Sequence, residues 1–238
     1  MSEFKSIFQE VLAQFDLTLD QKAIDRFSRY YDLLIEWNEK INLTALTEPR
    51  DVALKHFVDS LMLLRYTNIG VGASVIDVGT GAGFPGLALK IARPDINLTL
   101  LDSLQKRLTF LDEVSEALEL DDVVTVHSRA EDGSRTILFR DRYDIATARA
   151  VAPLNVLCEY CMPYVAPGGS FLAMKGKTAQ DELQEAENAI RELGGRVGEK
   201  HFFTLGDAGE RGIIKIDKIA PTPAQYPRKS KAIKKKPL

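Results

Sequence analysis

Apolar residues at Phe4, Ile7, Phe8, Val11, Leu12 and Phe15 recur at i, i+3, i+4, i+7, i+8 and i+11, the stripe of an amphipathic helix. Thr18-Leu-Asp-Gln21 reads as a capping box. It opens a second helix over about 20–40, with Ile24, Phe27, Tyr31, Leu34, Ile35 and Trp37 on its apolar side. Asn42-Leu-Thr44 breaks that helix. Thr47 then caps a third, with Pro49 in its first turn and Val52, Leu54, Phe57, Leu61 and Leu64 turned inward. The third helix also carries His56, Asp59 and Ser60 on one face. One His and one Asp make a poor metal set, and a Ser-His-Asp set within one helical turn cannot adopt relay geometry. The cluster either fastens the helix to the body or walls a substrate pocket. These helices predict an N-terminal cap over residues 1–67.

From Ala73 the pattern changes to short β-branched runs alternating with helical stretches, as in a parallel α/β sheet. Strands are predicted at 75–78, 97–102, 123–128, 143–148 and 170–174. Two more, at 196–205 and 212–219, read as an antiparallel hairpin. Helices are predicted at 87–92, from Ser103 onward, at 153–163 and at 178–193. The expected fold is a seven-stranded, mostly parallel sheet with one antiparallel strand, spanning 68–220. The last segment, 221–238, carries Pro221, Pro223, Pro227 and Pro237 among lysines and reads as an extended or disordered tail, not a helix.

The chemistry concentrates where the first strand breaks into glycines, Asp77-Val-Gly79-Thr-Gly81-Ala-Gly83-Phe84-Pro-Gly86. Strand, glycine turn and helix bring backbone close to a nucleotide-like ligand and aim a helix N-terminus at it. Gly81-x-Gly83-x-x-Gly86 also fits the dinucleotide fingerprint. A carboxylate at Asp77, however, repels a pyrophosphate and suits S-adenosylmethionine (SAM), which has a sulfonium, an ammonium and no phosphate. The second strand ends on Asp102, 21 residues after Gly81, where an acid can accept ribose hydroxyls, and Ser103 follows it. Ala130 and Glu131, at the end of the third strand, are candidates for adenine recognition. Arg149, at the end of the fourth, can hold the cofactor carboxylate or a phosphate.

Composition adds less. Of 238 residues 45% are hydrophobic and 27% charged, ordinary for a globular chain. No apolar run approaches the roughly 20 residues of a membrane span, and MSEFKSIFQE has no signal-peptide character, so cytoplasm is expected. Cys158 and Cys161 fall in a predicted helix and read as core residues, not as a redox pair or half a zinc site. Net charge is −3, but the segment from Pro221 carries six Lys/Arg and no acid, leaving 25 bases against 34 acids elsewhere. A basic tail on an acidic body suggests a polyanionic partner. Six cations on a single strand predict a salt slope of about −4.

Trp37-Asn-Glu-Lys-Ile-Asn-Leu-Thr44, His56-Phe-Val-Asp-Ser-Leu61, Asp77 through Gly86 and Lys106-Arg-Leu-Thr-Phe-Leu111, with Arg129-Ala-Glu131, Thr147-Ala-Arg-Ala-Val151, Lys175-Gly176 and Pro227-Arg-Lys, resemble one family over essentially the whole chain. It is the bacterial small-subunit (16S) ribosomal RNA guanine-N7 methyltransferase family, also called glucose-inhibited division protein B. The resemblance implies a class I SAM-dependent, Rossmann-like methyltransferase fold with an N-terminal helical cap. It implies methylation of one guanine N7 in the decoding-region loop of the rRNA, naked or in the 30S subunit, without a metal. It places SAM near Gly79, Phe84, Ala130, Glu131 and Arg149, and His56, Lys175, Arg228 and Lys229 become candidate RNA contacts. Guanine N7 carries no proton, so no general base is required. Asp59 is an electrostatic candidate for the cationic product. Rival readings are a small-molecule methyltransferase, a nicotinamide dehydrogenase and a non-enzymatic ribosome-binding protein.

Overall fold

The predicted stripes become the helices that roof the sheet. In the computed structural model, which describes residues 3–238, α1 (Glu3–Gln14) buries Phe4, Phe8, Val11 and Leu12. In α2 (Gln21–Ile41) the cap is Asp20, not Thr18: its carboxylate accepts the Ala23 amide at 2.7 Å. The helix ends on Asn42, at φ 49°, a left-handed stop that Asn tolerates. The third predicted helix is built in three pieces, α3 (Pro49–Val52), a π-helical turn (Ala53–Val58) and α4 (Asp59–Tyr66). Glu48, not Thr47, stands at its N-cap and makes no side-chain cap bond. Such π turns recur at functional sites, and this one holds Lys55 and His56 directly before Asp59.

Phe4, Phe8, Phe27, Tyr30 and Phe57 pack ring against ring beneath these helices, with Phe84 of the glycine loop against Tyr30 and Phe57. Each such ring contributes about 1.5–3 kcal/mol by leaving water. The fully buried tyrosine of α2 is Tyr30, whereas the expected Tyr31 is half-buried and stacks on Phe4 at 4.1 Å. Tyr30 reaches deeper because its hydroxyl donates to the Ala82 carbonyl in the glycine loop.

The remaining elements alternate. They are β1 (Ser74–Val78), α5 (Gly86–Ala92), β2 (Asn97–Asp102), α6 (Gln105–Ala117), β3 (Val123–His127), α7 (Ala130–Gly133), β4 (Tyr143–Arg149), α8 (Leu154–Cys161), β5 (Val165–Lys175), α9 (Ala179–Glu192), β6 (Gly195–Thr204) and β7 (Glu210–Lys218). The sheet order is β3-β2-β1-β4-β5-β7-β6. Only β7 runs against its neighbours, pairing antiparallel with both β5 and β6, as the sequence predicts. Chain connections diverge between β1 and β4, which opens a crevice at the carboxyl ends of those strands. Val78 pairs with Leu101 and Asp77 with Thr147, so Gly79, Asp102 and Arg149 emerge at one edge.

One hydrophobic core joins the N-terminal helices, α5 and α6 to one face of the sheet, and a second joins α8 and α9 to the other. Cys158 and Cys161 lie fully buried in the second, where burial pushes both thiols up, away from reactive thiolate.

The C-terminal segment departs from expectation. It folds onto the body and ends in a short helix, α10 (Ser230–Lys235), with Ile233 buried. Arg140 donates to the carbonyls of Thr222 at 2.8 Å and Tyr226 at 3.0 Å, and Arg135 donates to that of Pro227. Fully buried Lys218 donates to the Met162 carbonyl at 2.6 Å and to the Thr222 hydroxyl; burial pulls its pKa down to about 8. The segment's prolines forbid a long helix, but these distant partners satisfy its backbone.

Candidate cofactor and substrate site

Two clefts meet at the carboxyl edge of the sheet. The first, about 450 Å³, is lined by the glycine loop (Gly79, Thr80, Gly81, Ala82, Phe84), by Asp102, Ser103 and Arg107, by Leu43, Thr44 and His56, and by Arg149, Ala150 and Val151. The second, about 390 Å³, is lined by Lys55, Asp59, Met174, Lys175, Glu182, Phe203 and Arg211, among others. His56, Arg149 and Ala150 belong to both and form the wall between them.

The loop's shape requires its glycines. Gly79, Gly81 and Gly83 have φ of 74°, 60° and 96°, where a side chain is strained. At Gly81 an added Cβ meets nothing within 4 Å, so its backbone lies open to the cleft. At Gly83 an added Cβ runs into Tyr30, Leu111 and Leu87, so this glycine serves packing.

Asp77 sits beneath the loop and does not face the cleft, which corrects the expectation of a direct ligand contact. It is fully buried; its Oδ2 accepts the Thr80 hydroxyl at 2.7 Å and the Gly86 amide at 2.9 Å, and its Oδ1 has no hydrogen-bond partner. Burial pushes its pKa up to about 6, against the pull of those two donors. The arrangement still discriminates between ligands. The Gly86 amide opens α5, where a pyrophosphate sits in a dinucleotide fold, and here a carboxylate occupies it. Asp102 adds a second acid to the same loop, its Oδ2 accepting the Gly81 amide at 3.0 Å and Arg107 at 3.2 Å, its Oδ1 the Leu104 amide at 2.9 Å. Two carboxylates thus lie under and beside open backbone, where a second negative group is disfavoured. Open loop backbone with Asp102 and Ser103 beside it fits SAM, which carries a cationic sulfur and no phosphate. Ala130 and Glu131 do not line the cleft; they open α7 beside it, with Glu131 8% exposed.

Arg149 is the hinge of the polar network. Its Nη1 donates to Asp59 Oδ2 at 2.7 Å and to the Lys55 carbonyl at 2.9 Å, its Nη2 donates to His56 Nδ1 at 3.1 Å, and its guanidinium lies 5.2 Å over the Phe84 ring. Since Arg149 only donates, His56 Nδ1 accepts, and the His56 proton resides on Nε2, which donates to the Thr44 hydroxyl at 2.8 Å. Burial and the Arg149 charge pull the His56 pKa down to about 3, so the ring is neutral. It stacks on Phe84 at 4.6 Å. His56 is thus a neutral side chain in the wall shared by both clefts.

Asp59 is held between two arginines, Arg149 at 2.7 Å and Arg211 Nε at 3.0 Å, with its side chain 5% exposed. The three groups sum to a positive charge. Asp59 therefore does not offer the free negative charge expected to meet a cationic product, since both of its oxygens hold arginines. Lys175, expected to contact RNA, donates to the Ala152 carbonyl at 2.7 Å and pairs with Glu182 at 2.6 Å, its side chain 8% exposed. Arg228, also expected there, is bound to fully buried Glu159: Nη2 donates to Oε2 at 2.6 Å and Nε to Oε1 at 2.9 Å. Its Nε and Nη2 are thus spent on Glu159 rather than presented to solvent. Lys229 is exposed.

The sequence did not point to Arg211 or Ala150. Arg211 comes from β7, and nothing local ties it to Asp59, 152 residues away. Ala150 has φ 57°, a left-handed position for a non-glycine residue at the wall between the clefts. Among the described residues no cluster of His, Cys, Asp and Glu could hold a metal, and no helix is long and apolar enough to cross a membrane.

Fold and site together define a Rossmann-like, class I SAM-dependent methyltransferase. Solved structures share the fold: a protein of Bacillus halodurans described as a methyltransferase aligns at TM-score 0.55 and 16% identity, covering 68% of this chain and 100% of that one. TYW2 of M. jannaschii, determined in complex with AdoMet, aligns at TM-score 0.55 and 10% identity, over 68% of this chain and 76% of that one. The family described as rRNA small subunit methyltransferase G, GidB, matches residues 23–211. Ribosomal RNA small subunit methyltransferase G of Alkaliphilus metalliredigens is 46% identical over 237 residues, 99% of both chains, and that of Staphylococcus carnosus 48% identical over 231 residues, 96% of both. The chain belongs to the rRNA small subunit methyltransferase G family.

Proposed function

We propose that the chain transfers a methyl group from SAM to N7 of a guanine in 16S ribosomal RNA, naked or within the 30S subunit. SAM supplies an electrophilic methyl on a cationic sulfur. The glycine loop, Asp102 and Ser103 hold the cofactor, and the second cleft receives the purine, with Phe203 and Met174 offering apolar walls. Ala150 and Arg149 stand where the clefts join.

The observation that carries this reading is that no group at the junction is free to take a proton. The His56 Nδ1 lone pair is used by Arg149. Asp59 is shared by two arginines, and Glu182 accepts Lys175, the Thr178 hydroxyl and the Leu154 amide. A nucleophile that must lose a proton is poorly served there. Guanine N7 presents an in-plane lone pair with no proton, so alignment and exclusion of water are the work left to the protein.

The test is labelled-SAM transfer to naked 16S rRNA, 30S subunits and 70S ribosomes, with the product base identified by mass spectrometry, beside calorimetry with SAM and NAD. Incorporation as 7-methylguanine with SAM binding is expected. NAD binding without SAM binding, or label confined to small molecules, overturns the reading.

A further inference from the structure

The C-terminal segment is clamped in place by partners that leave its lysines unused. Glu159 of α8 holds Arg228 by its backbone amide at 2.6 Å as well as by its guanidinium. Tyr160 meets Ser230 at 3.3 Å, and Ile233 is buried. Spending Arg228 on Glu159 leaves Lys229, Lys231, Lys234, Lys235 and Lys236, all exposed and paired with no acid. On α10, Lys231, Lys234 and Lys235 lie at i, i+3 and i+4, on the side turned from Ile233. Five positive charges in one place on an otherwise acidic chain are expensive to gather unless an anion meets them.

Their position matters as much as their number. Arg135, just beyond α7, donates to the carbonyl of Pro227, and the Tyr164 hydroxyl, just after α8, donates to the Ala130 carbonyl at 2.8 Å. The segment that ends in the basic helix is thereby tied to the α7 side of the molecule, where Arg129, at the N-cap of α7, is exposed.

We propose that α10 and its flanking lysines form a preformed phosphate-binding surface that docks the ribosomal RNA backbone on the α7 side of the molecule. The proposal rests on the rRNA methyltransferase reading above. Docking in advance on Glu159, Arg135 and Arg140 removes the ordering cost that a loose basic tail carries into binding. With Arg228 withdrawn, five cations on single-stranded phosphates give a salt slope of about −3.5, a loss of about 100-fold between 50 and 200 mM salt.

The test measures binding of full-length protein to naked 16S rRNA from 50 to 200 mM salt, for wild type, for Lys231→Ala/Lys234→Ala/Lys235→Ala and for the same three changed to Arg. All three side chains are exposed, and SAM calorimetry controls for folding. The alanine variant is expected to lose about 2 from the slope and to bind rRNA at least tenfold more weakly at 50 mM, with SAM affinity kept; the arginine variant is expected to match wild type. If the alanine variant binds rRNA like wild type while wild type methylates it, this inference falls and the functional reading stands. If wild type binds no rRNA at any salt but is retained by phosphatidylglycerol vesicles through these lysines, both fall.

Discussion

Asp59→Asn removes the charge that holds two arginines together and changes almost no volume. In the native protein the carboxylate accepts one charge-assisted bond on each oxygen, at 2.7 Å from Arg149 and 3.0 Å from Arg211. Breaking a buried pair by removing one partner costs about 3–5 kcal/mol. Arg149 and Arg211 are 14% and 21% exposed, and asparagine still accepts one bond, so the loss belongs at the low end, about 3 kcal/mol. For a chain of this size that lowers Tm by about 6–12 °C. Arg149 keeps the Lys55 carbonyl and His56, whereas Arg211 keeps only carbonyls on its own strand side. The second cleft therefore loosens more than the cofactor cleft. Thermal unfolding, SAM calorimetry and single-turnover methyl transfer to 16S rRNA read these effects separately. The expected result is a lowered Tm, SAM affinity within a few fold of wild type and transfer slowed by at least tenfold. Wild-type Tm together with wild-type transfer refutes the account of Asp59 as the clamp between the clefts.

Other expectations follow from the same geometry. Asp77, with its pKa raised to about 6, is protonated more readily in the folded chain than in the unfolded one. Its contribution to stability is therefore fully present below pH about 4 and lost as pH rises through about 6. A cation bound over the loop favours the ionised form, so SAM affinity falls as pH drops from 7.5 to 5; calorimetry showing no change contradicts this. Gly81→Ala costs about 1–2 kcal/mol of backbone strain and projects a methyl into the cleft, so SAM affinity falls with modest loss of Tm. Gly83→Ala meets Tyr30 and Leu111 in addition and lowers Tm further, which thermal scans of the pair compare. Glu159→Gln frees Arg228 at a cost of about 3 kcal/mol and exposes residues 228–236 to trypsin; limited digestion at the wild-type rate counts against the clamp.

The sheet was legible because its strands are short β-branched runs punctuated by glycine, and each side chain's environment there is decided locally. The pairing of Asp102 with the glycine loop was half legible: the 21-residue spacing marks the acid, but its bonds to the Gly81 and Leu104 amides depend on how β1 and β2 lie together. Helical periodicity alone placed Tyr31 inward. The adjacent Tyr30 goes deeper because Ala82, 52 residues away, supplies a carbonyl for its hydroxyl. The C-terminal segment read as extended or disordered because proline and lysine dominate it. What orders it is the buried carboxylate of Glu159, 69 residues earlier, and the arginines of the β3–β4 connection. Asp59 and Arg211 illustrate the same limit: a long-range ion pair leaves no trace in spacing.

The central claim is that an unprotonated ring nitrogen attacks the methyl group without help from a base. It is tested most directly by offering labelled SAM and this protein two 16S rRNA transcripts, one ordinary and one made with 7-deazaguanine. The account predicts label recovered as 7-methylguanine from the first and none from the second. Label in the deaza transcript, or on any other atom of the ordinary one, contradicts it.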